Sequence, residues 1–128
     1  MHLIDLYQKQ DFVFSIEIFP PKTEKGMENL KTTLEKFKSC TPDYFSVTYG
    51  AGGTSRANTH EMAAHIHHEL DVPAMAHLTC VAHTEKEIDE VLTKLKNSGI
   101  TNVMILRGET HRWNQAFCPA QRRLSLCK

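Results

Sequence analysis

Apolar residues in this chain recur in two alternating rhythms, every second position and then every third or fourth, and the alternation repeats about every 30 residues. Phe14-Ser15-Ile16-Glu17-Ile18-Phe19 has the period of a strand and stops at Pro20-Pro21. Met27, Leu30, Leu34 and Phe37 then fall at helical spacing, ending before Thr41-Pro42. Tyr44 to Tyr49 predicts a second strand, and Gly50-Ala51-Gly52-Gly53 a tight loop. Thr54 or Ser55 caps a helix carrying Met62, Ile66 and Leu70, and Val72-Pro73 closes that unit. Ala74 to Thr79 predicts a third strand. Thr84 with Glu87 forms a capping box for a helix whose inner face is Ile88, Val91, Leu92 and Leu95, with Gly99 as its carboxyl-terminal cap. Asn102 to Leu106 is continuous and apolar, as expected of a parallel strand covered on both faces.

Strands beginning near positions 13, 43, 74 and 102 define a repeated strand-helix unit. Eight such units make the ~250 residues of a closed barrel. The predicted class is therefore α/β, a fragment of a β/α (TIM) barrel holding about the first four βα units around a parallel sheet. A doubly wound sheet shares the alternation, but its first turn carries a glycine fingerprint, and Phe19-Pro20-Pro21 occupies that place here.

Composition narrows the function. The 128 residues suit one ordinary domain, and 41% hydrophobic content is enough for a core. Fifteen Lys plus Arg balance fifteen Asp plus Glu, so neither nucleic acid nor a membrane surface is an expected partner. Met1-His2-Leu3-Ile4-Asp5-Leu6 lacks the basic start of a signal peptide, no apolar run reaches membrane-spanning length, and a cytoplasmic location is expected. Cys40, Cys80, Cys118 and Cys127 are too irregularly spaced for a zinc site or a disulfide framework. His60, His65, His67 and His68 crowd one segment without a completing Cys or Asp; they are read as a solvated helix face, with no metal expected.

Glu17 is the residue with the sharpest chemistry. It shares a strand face with Ser15 and Phe19, opposite Phe14, Ile16 and Ile18. Read as lying on a buried face, it is placed to act as a general acid; the competing reading is a solvated strand edge or an internal ion pair. In α/β folds the chemistry collects where strands end. Here those ends are Glu17, then Thr48-Tyr49-Gly50-Ala51, then His77-Leu78-Thr79-Cys80, then Arg107-Gly108-Glu109. Together they offer an acid, a stacking ring, hydrogen-bonding groups, a fixed cation and a second carboxylate, a set suited to a large, flat, polar cofactor. Singly, each has a structural reading: Tyr49 capping the core, His77 satisfied in the interior, Arg107 paired with Glu109.

Four motifs in register carry a resemblance: Phe14 to Pro21 as F-S-I-E-I-F-P-P, Phe45 to Ala51 as F-S-V-T-Y-G-A, His77 to Cys80 as H-L-T-C, and Leu106 to Glu109 as L-R-G-E. Their order and spacing resemble the amino-terminal half of methylenetetrahydrofolate reductase, from Phe12 to Glu109. That resemblance implies a flavoprotein on a β/α barrel, with FAD taking hydride from NADH or NADPH. The hydride then passes to 5,10-methylenetetrahydrofolate, giving the 5-methyltetrahydrofolate used for methionine synthesis. By the same resemblance Glu17 is the general acid that protonates the folate. Thr48 lies near the nicotinamide, and Tyr49, Ala51, His77, Arg107 and Gly108 contact FAD. Glu109 stands near flavin and folate where the family carries Asp, so Glu17 and Glu109 are both expected at the substrate.

After Glu109 the likeness ends in this reading. Residues 1–109 are expected to be barrel, and Thr110 to Lys128 a non-family tail without helical or strand period. One codon choice for Thr110 to Gln115, read one base out of phase, spells T-P-M-E-P, a continuation expected after the family's L-R-G-D. A frameshift or gene-model break is the expectation, and an intact frame in close relatives would count against it. The family resemblance implies a homo-oligomer. Four strands alone imply self-association and little reductase activity; the alternative is a non-catalytic truncated fragment or pseudogene product that binds no flavin.

Overall fold

Period-two runs form strands and period-3.6 runs form helices, as their buried faces require. The order is α1 (Leu3–Lys9), β1 (Ser15–Ile18), α2 (Glu24–Lys38), β2 (Tyr44–Val47), α3 (Arg56–His68), β3 (Ala74–Thr79), α4 (Glu85–Asn97) and β4 (Asn102–Leu106). This computed structural model describes residues 1–50, 56–80 and 83–106. Ala51 and the rest of the glycine loop, the cap at Thr54 or Ser55, Arg107, Gly108, Glu109 and the tail with Cys118 and Cys127 lie outside the described residues.

The sheet is parallel throughout, in the order β1-β2-β3-β4. Each helix returns the chain to the same end, so successive strands add side by side. On one face Ile18, Phe45, Val47, Ala74 and Ala76 pack against Met27 and Leu34 of α2, Met62, Ala63 and Ile66 of α3, and Leu95 of α4. Phe45, Leu34, Met62 and Ile66 are fully buried. Polar links tie α3 to the helical segments on either side: Lys31 Nζ lies 2.7 Å from Glu61 Oε1, and His60 Nε2 lies 2.9 Å from Ser98 Oγ in the turn after α4.

Local chemistry sets the helix ends. Thr23 caps α2 through its side chain, which accepts from the Gly26 N–H at 3.2 Å. The Thr84–Glu87 capping box at α4 forms as expected, with the Thr84 N–H donating to Glu87 Oε2 at 2.7 Å. Gly99 follows α4 at a φ of +73°, in the left-handed region that favours glycine, and its N–H donates to the Lys96 carbonyl at 3.0 Å.

Four expectations need correction. Phe37 and Leu92 are 39% and 36% exposed rather than on the inner face. At about 100° per residue they fall at the flanks of stripes centred on Met27, Leu30 and Leu34 or on Ile88, Val91 and Leu95. β4 is not covered on both faces: Met104, Ile105 and Leu106 are all exposed, because among the described residues it is an edge strand. The α3 histidines are not a wholly solvated face either. His60, His65 and His67 are half-buried, and only His68 is exposed, since α3 is wedged between the sheet and both neighbouring helices.

The strand and helix periods did not reveal α1. Leu3 and Leu6 bury against Tyr44, Val13 and Met75 on the sheet face opposite the other helices. The Leu3 N–H donates to Asn102 Oδ1 at 2.9 Å, Asn102 Nδ2 donates to the Met1 carbonyl at 3.1 Å, and the Tyr7 and Tyr44 hydroxyls lie 2.9 Å apart. The hydroxyl link to Tyr44, with a lesser contribution from desolvation, raises the Tyr7 phenol above its ordinary value. Among the described residues no helix is long and apolar enough to cross a membrane.

Candidate active site at the carboxyl ends of the strands

Parallel register brings three polar side chains together. Glu17 of β1 pairs with Ser46 of β2, and Ser46 pairs with Met75, two residues before His77 on the same face of β3. Ser46 Oγ lies 3.4 Å from Glu17 Oε2 and 2.8 Å from His77 Nε2, while His77 Nε2 and Glu17 Oε2 are 3.8 Å apart. The hydroxyl therefore bridges an acid and an imidazole across three strands.

The expectation of a buried Glu17 is corrected. Its side chain is 51% exposed, whereas that of His77 is only 7% exposed. Glu17 stands on the face turned away from α2, α3 and α4, which α1 covers only near Tyr44 and Met75. Its position is set by partners rather than by burial. For His77, burial pushes the imidazole below its ordinary value, and the nearby Glu17 carboxylate partly opposes that shift. At neutral pH the ring is thus neutral, with one nitrogen donating and one accepting.

The end of β2 is fixed from two sides. The Thr48 N–H donates to the Ile18 carbonyl at 3.0 Å, and Thr59 of α3 donates its hydroxyl to the Thr48 carbonyl at 3.0 Å. Tyr49 is half-buried, with its hydroxyl 2.9 Å from His83 Nε2 and the two rings tilted at 49°. Asn58 Nδ2 donates to the Pro21 carbonyl at 2.7 Å, tying the first turn of α3 to the exit from β1. The structure thus brings Glu17 and His77 together and sets Thr48 and Tyr49 at the end of the intervening strand. Ala51, Arg107, Gly108 and Glu109 lie outside the described residues.

Sequence reading passed over Ser46 and His83. Ser46 carried a usable signal, since a hydroxyl inside the otherwise apolar Phe45-Ser46-Val47 shares a face with Glu17 once parallel register is assumed. His83 carried none, because only the tertiary contact with Tyr49 distinguishes it. A cavity of about 260 Å³ lies at the opposite end, lined by Asp71, Pro73, Gly99 and Thr101. It lies where β3 and β4 begin, at Ala74 and Asn102, and the chemistry of the Glu17 cluster outweighs cavity size in locating the site.

Four parallel strands alternating with helices, with an acid, a hydroxyl and an imidazole gathered on one face, form a partial fragment of the β/α barrel class. The family profile described as methylenetetrahydrofolate reductase matches residues 2–126, a range that extends beyond Glu109. The chain belongs to the methylenetetrahydrofolate reductase family. It is 41% identical over 104 residues to methylenetetrahydrofolate reductase (NADH) 1 of Arabidopsis thaliana, covering 81% of this chain and 18% of that protein. Likeness to 5,10-methylenetetrahydrofolate reductase of Buchnera aphidicola is 38% over 96 residues, 75% of this chain and 33% of the relative. Methylenetetrahydrofolate reductase 2 of Schizosaccharomyces pombe is 34% identical over 108 residues, 84% of this chain and 17% of its own length. The chain therefore spans between about a sixth and a third of the relatives it matches.

Proposed function

We propose that this chain carries the proton-donating part of a flavin-dependent methylenetetrahydrofolate reductase, with Glu17 as the acid. The observation that carries the reading is the Glu17–Ser46–His77 bridge on the open face of the sheet, where an acid is accessible yet held by partners. Glu17 delivers a proton to a nitrogen of the folate, so that the bridging carbon becomes electrophilic enough to accept hydride. Bound FAD would supply that hydride, having received it from NADH, the donor named for the plant relatives. The donor set fits such a group: the half-buried Tyr49 ring is oriented by its hydroxyl contact, and His77 and Thr48 stand on neighbouring strand ends. Tyr49, Ala51, His77, Arg107, Gly108 and Glu109 are assigned to hold the flavin, Thr48 to the nicotinamide, and Glu17 and Glu109 to the folate.

The setting proposed is cytoplasmic, and the exposed Phe19 and Ile105 favour self-association or pairing with further barrel units. Turnover belongs to the whole barrel, of which residues 1–109 are assigned as one arc. In the protein carrying that whole barrel, Glu17→Gln should lower NADH-driven folate reduction by about 10²- to 10⁴-fold while leaving flavin reduction by NADH intact. Folate reduction at the unsubstituted rate would overturn the reading. A second reading, a non-catalytic segment without flavin, is favoured by the uncovered β4 edge. Absorbance decides between them: retained yellow flavin in the purified chain supports the first, and a colourless protein that does not quench FAD fluorescence supports the second.

A further inference from the structure

We propose that Ser46 is a positioning residue for Glu17, its hydroxyl coupling the protonation state of the Glu17 carboxyl to the tautomer of His77. This rests on the reading of Glu17 as the proton donor. A serine hydroxyl has one proton to give and lone pairs with which to accept. Ser46 Oγ has Glu17 Oε2 at 3.4 Å on one side and His77 Nε2 at 2.8 Å on the other, so its single proton can serve only one of them. The 3.4 Å link is long for an O–H···O contact, and the half-exposed Glu17 is free to shorten it by rotation, whereas buried His77 is not.

The two proton states demand opposite directions along this bridge. An ionised Glu17 only accepts, so Ser46 donates to Glu17 and accepts from His77 Nε2–H. A protonated Glu17 donates to Ser46 Oγ, the Ser46 proton turns to His77 Nε2, and the imidazole carries its proton on Nδ1. Between these states the ring loses one proton to water from Nε2 and gains one from water at Nδ1, so its charge is unchanged. The carboxyl is thus met by a hydrogen-bond partner of the right polarity both before and after it delivers its proton. Of the strand residues on this face Tyr44, Glu17 and His77 are ionisable; β4, which flanks His77, contributes Asn102, Met104 and Leu106, none of which titrates.

The test is ¹⁵N NMR of the His77 ring in the full chain at a pH where the ring is neutral. Glu17→Gln replaces an obligate acceptor with a group whose amide donates to Ser46, and His77 should change from the Nε2–H to the Nδ1–H tautomer. In a Ser46→Ala background, Glu17→Gln should leave the tautomer unmoved, while Ser46→Thr, which keeps the hydroxyl, restores the response. An unchanged tautomer in Glu17→Gln, or a response that persists without the Ser46 hydroxyl, overturns the proposal. In the protein with the whole barrel, Ser46→Ala should slow folate reduction by about tenfold, the loss expected for one hydrogen bond to a charged group. The NMR outcome does not depend on turnover, so failure of the coupling and failure of the reductase reading give different results.

Discussion

The phenol of Tyr49 and the imidazole of His83 meet at 2.9 Å between the end of β2 and the loop after β3, joining two strand exits that lie 34 residues apart in the chain. His83 is 9% exposed, so its side chain is largely removed from water. Tyr49→Phe removes a partner from this nitrogen and should destabilise the fold by about 1 kcal/mol, read from the midpoint of urea unfolding. A change within error would mean that the contact does not hold the two exits together.

Acid should weaken the fold through His77. Its imidazole is depressed by burial in the folded state, so unfolding takes up a proton between the ordinary value near 6.5 and the lower folded value. Above that window both states are neutral and the stability is fully present. As pH falls through it, the unfolded state protonates first and stability is lost. Comparing unfolding free energies of the unsubstituted chain and His77→Asn from pH 7.5 down to 5 should show a smaller decline in the variant. Parallel curves would exclude His77 as a source of the acid sensitivity.

Two residues of one helix should behave oppositely. Leu34 is fully buried in the core and Phe37 is 39% exposed, although both sit on the same apolar repeat of α2. Leu34→Ala should cost about 2–5 kcal/mol, as cavity-forming changes do. Phe37→Ala should cost less than half as much, because much of its surface already meets water. Equal losses in chemical denaturation would restore Phe37 to the inner face.

That contrast shows what was legible beforehand. The eight-element alternation was nearly all readable, because period-two and period-3.6 patterns and the Thr84–Glu87 and Gly99 signals are properties of a few neighbouring residues. β3 was located to the residue. The flank positions Phe37 and Leu92 were not separable from the stripe centre, since an apolar side chain fits both. The face of Glu17 was identified correctly, but its burial was not, because burial depends on what lies above the sheet. α1 escaped for a similar reason: seven residues give too few turns to establish a period, and its partners Tyr44 and Asn102 are distant in sequence.

The capping box at α4 gives a further test. Thr84→Ala removes the oxygen that accepts from the Glu87 N–H and donates to Glu87 Oε2, and keeps the backbone N–H that donates to the Glu87 carboxylate, at an exposed position where little else changes. The loss should be about 1 kcal/mol, and Thr84→Ser should recover most of it. Thermal unfolding by circular dichroism would distinguish this from a neutral surface change.

The pairing of Leu3 with Asn102 spans 99 positions, so α1 acquires this partner only after β4 has been made. Closing a loop of that length costs about 1 kcal/mol more chain entropy than the helical crossovers that pair neighbouring parallel strands. The helix can settle first on Tyr44 and Met75, and the bonds to Asn102 then latch it across the sheet, tying the second and third strands to the fourth.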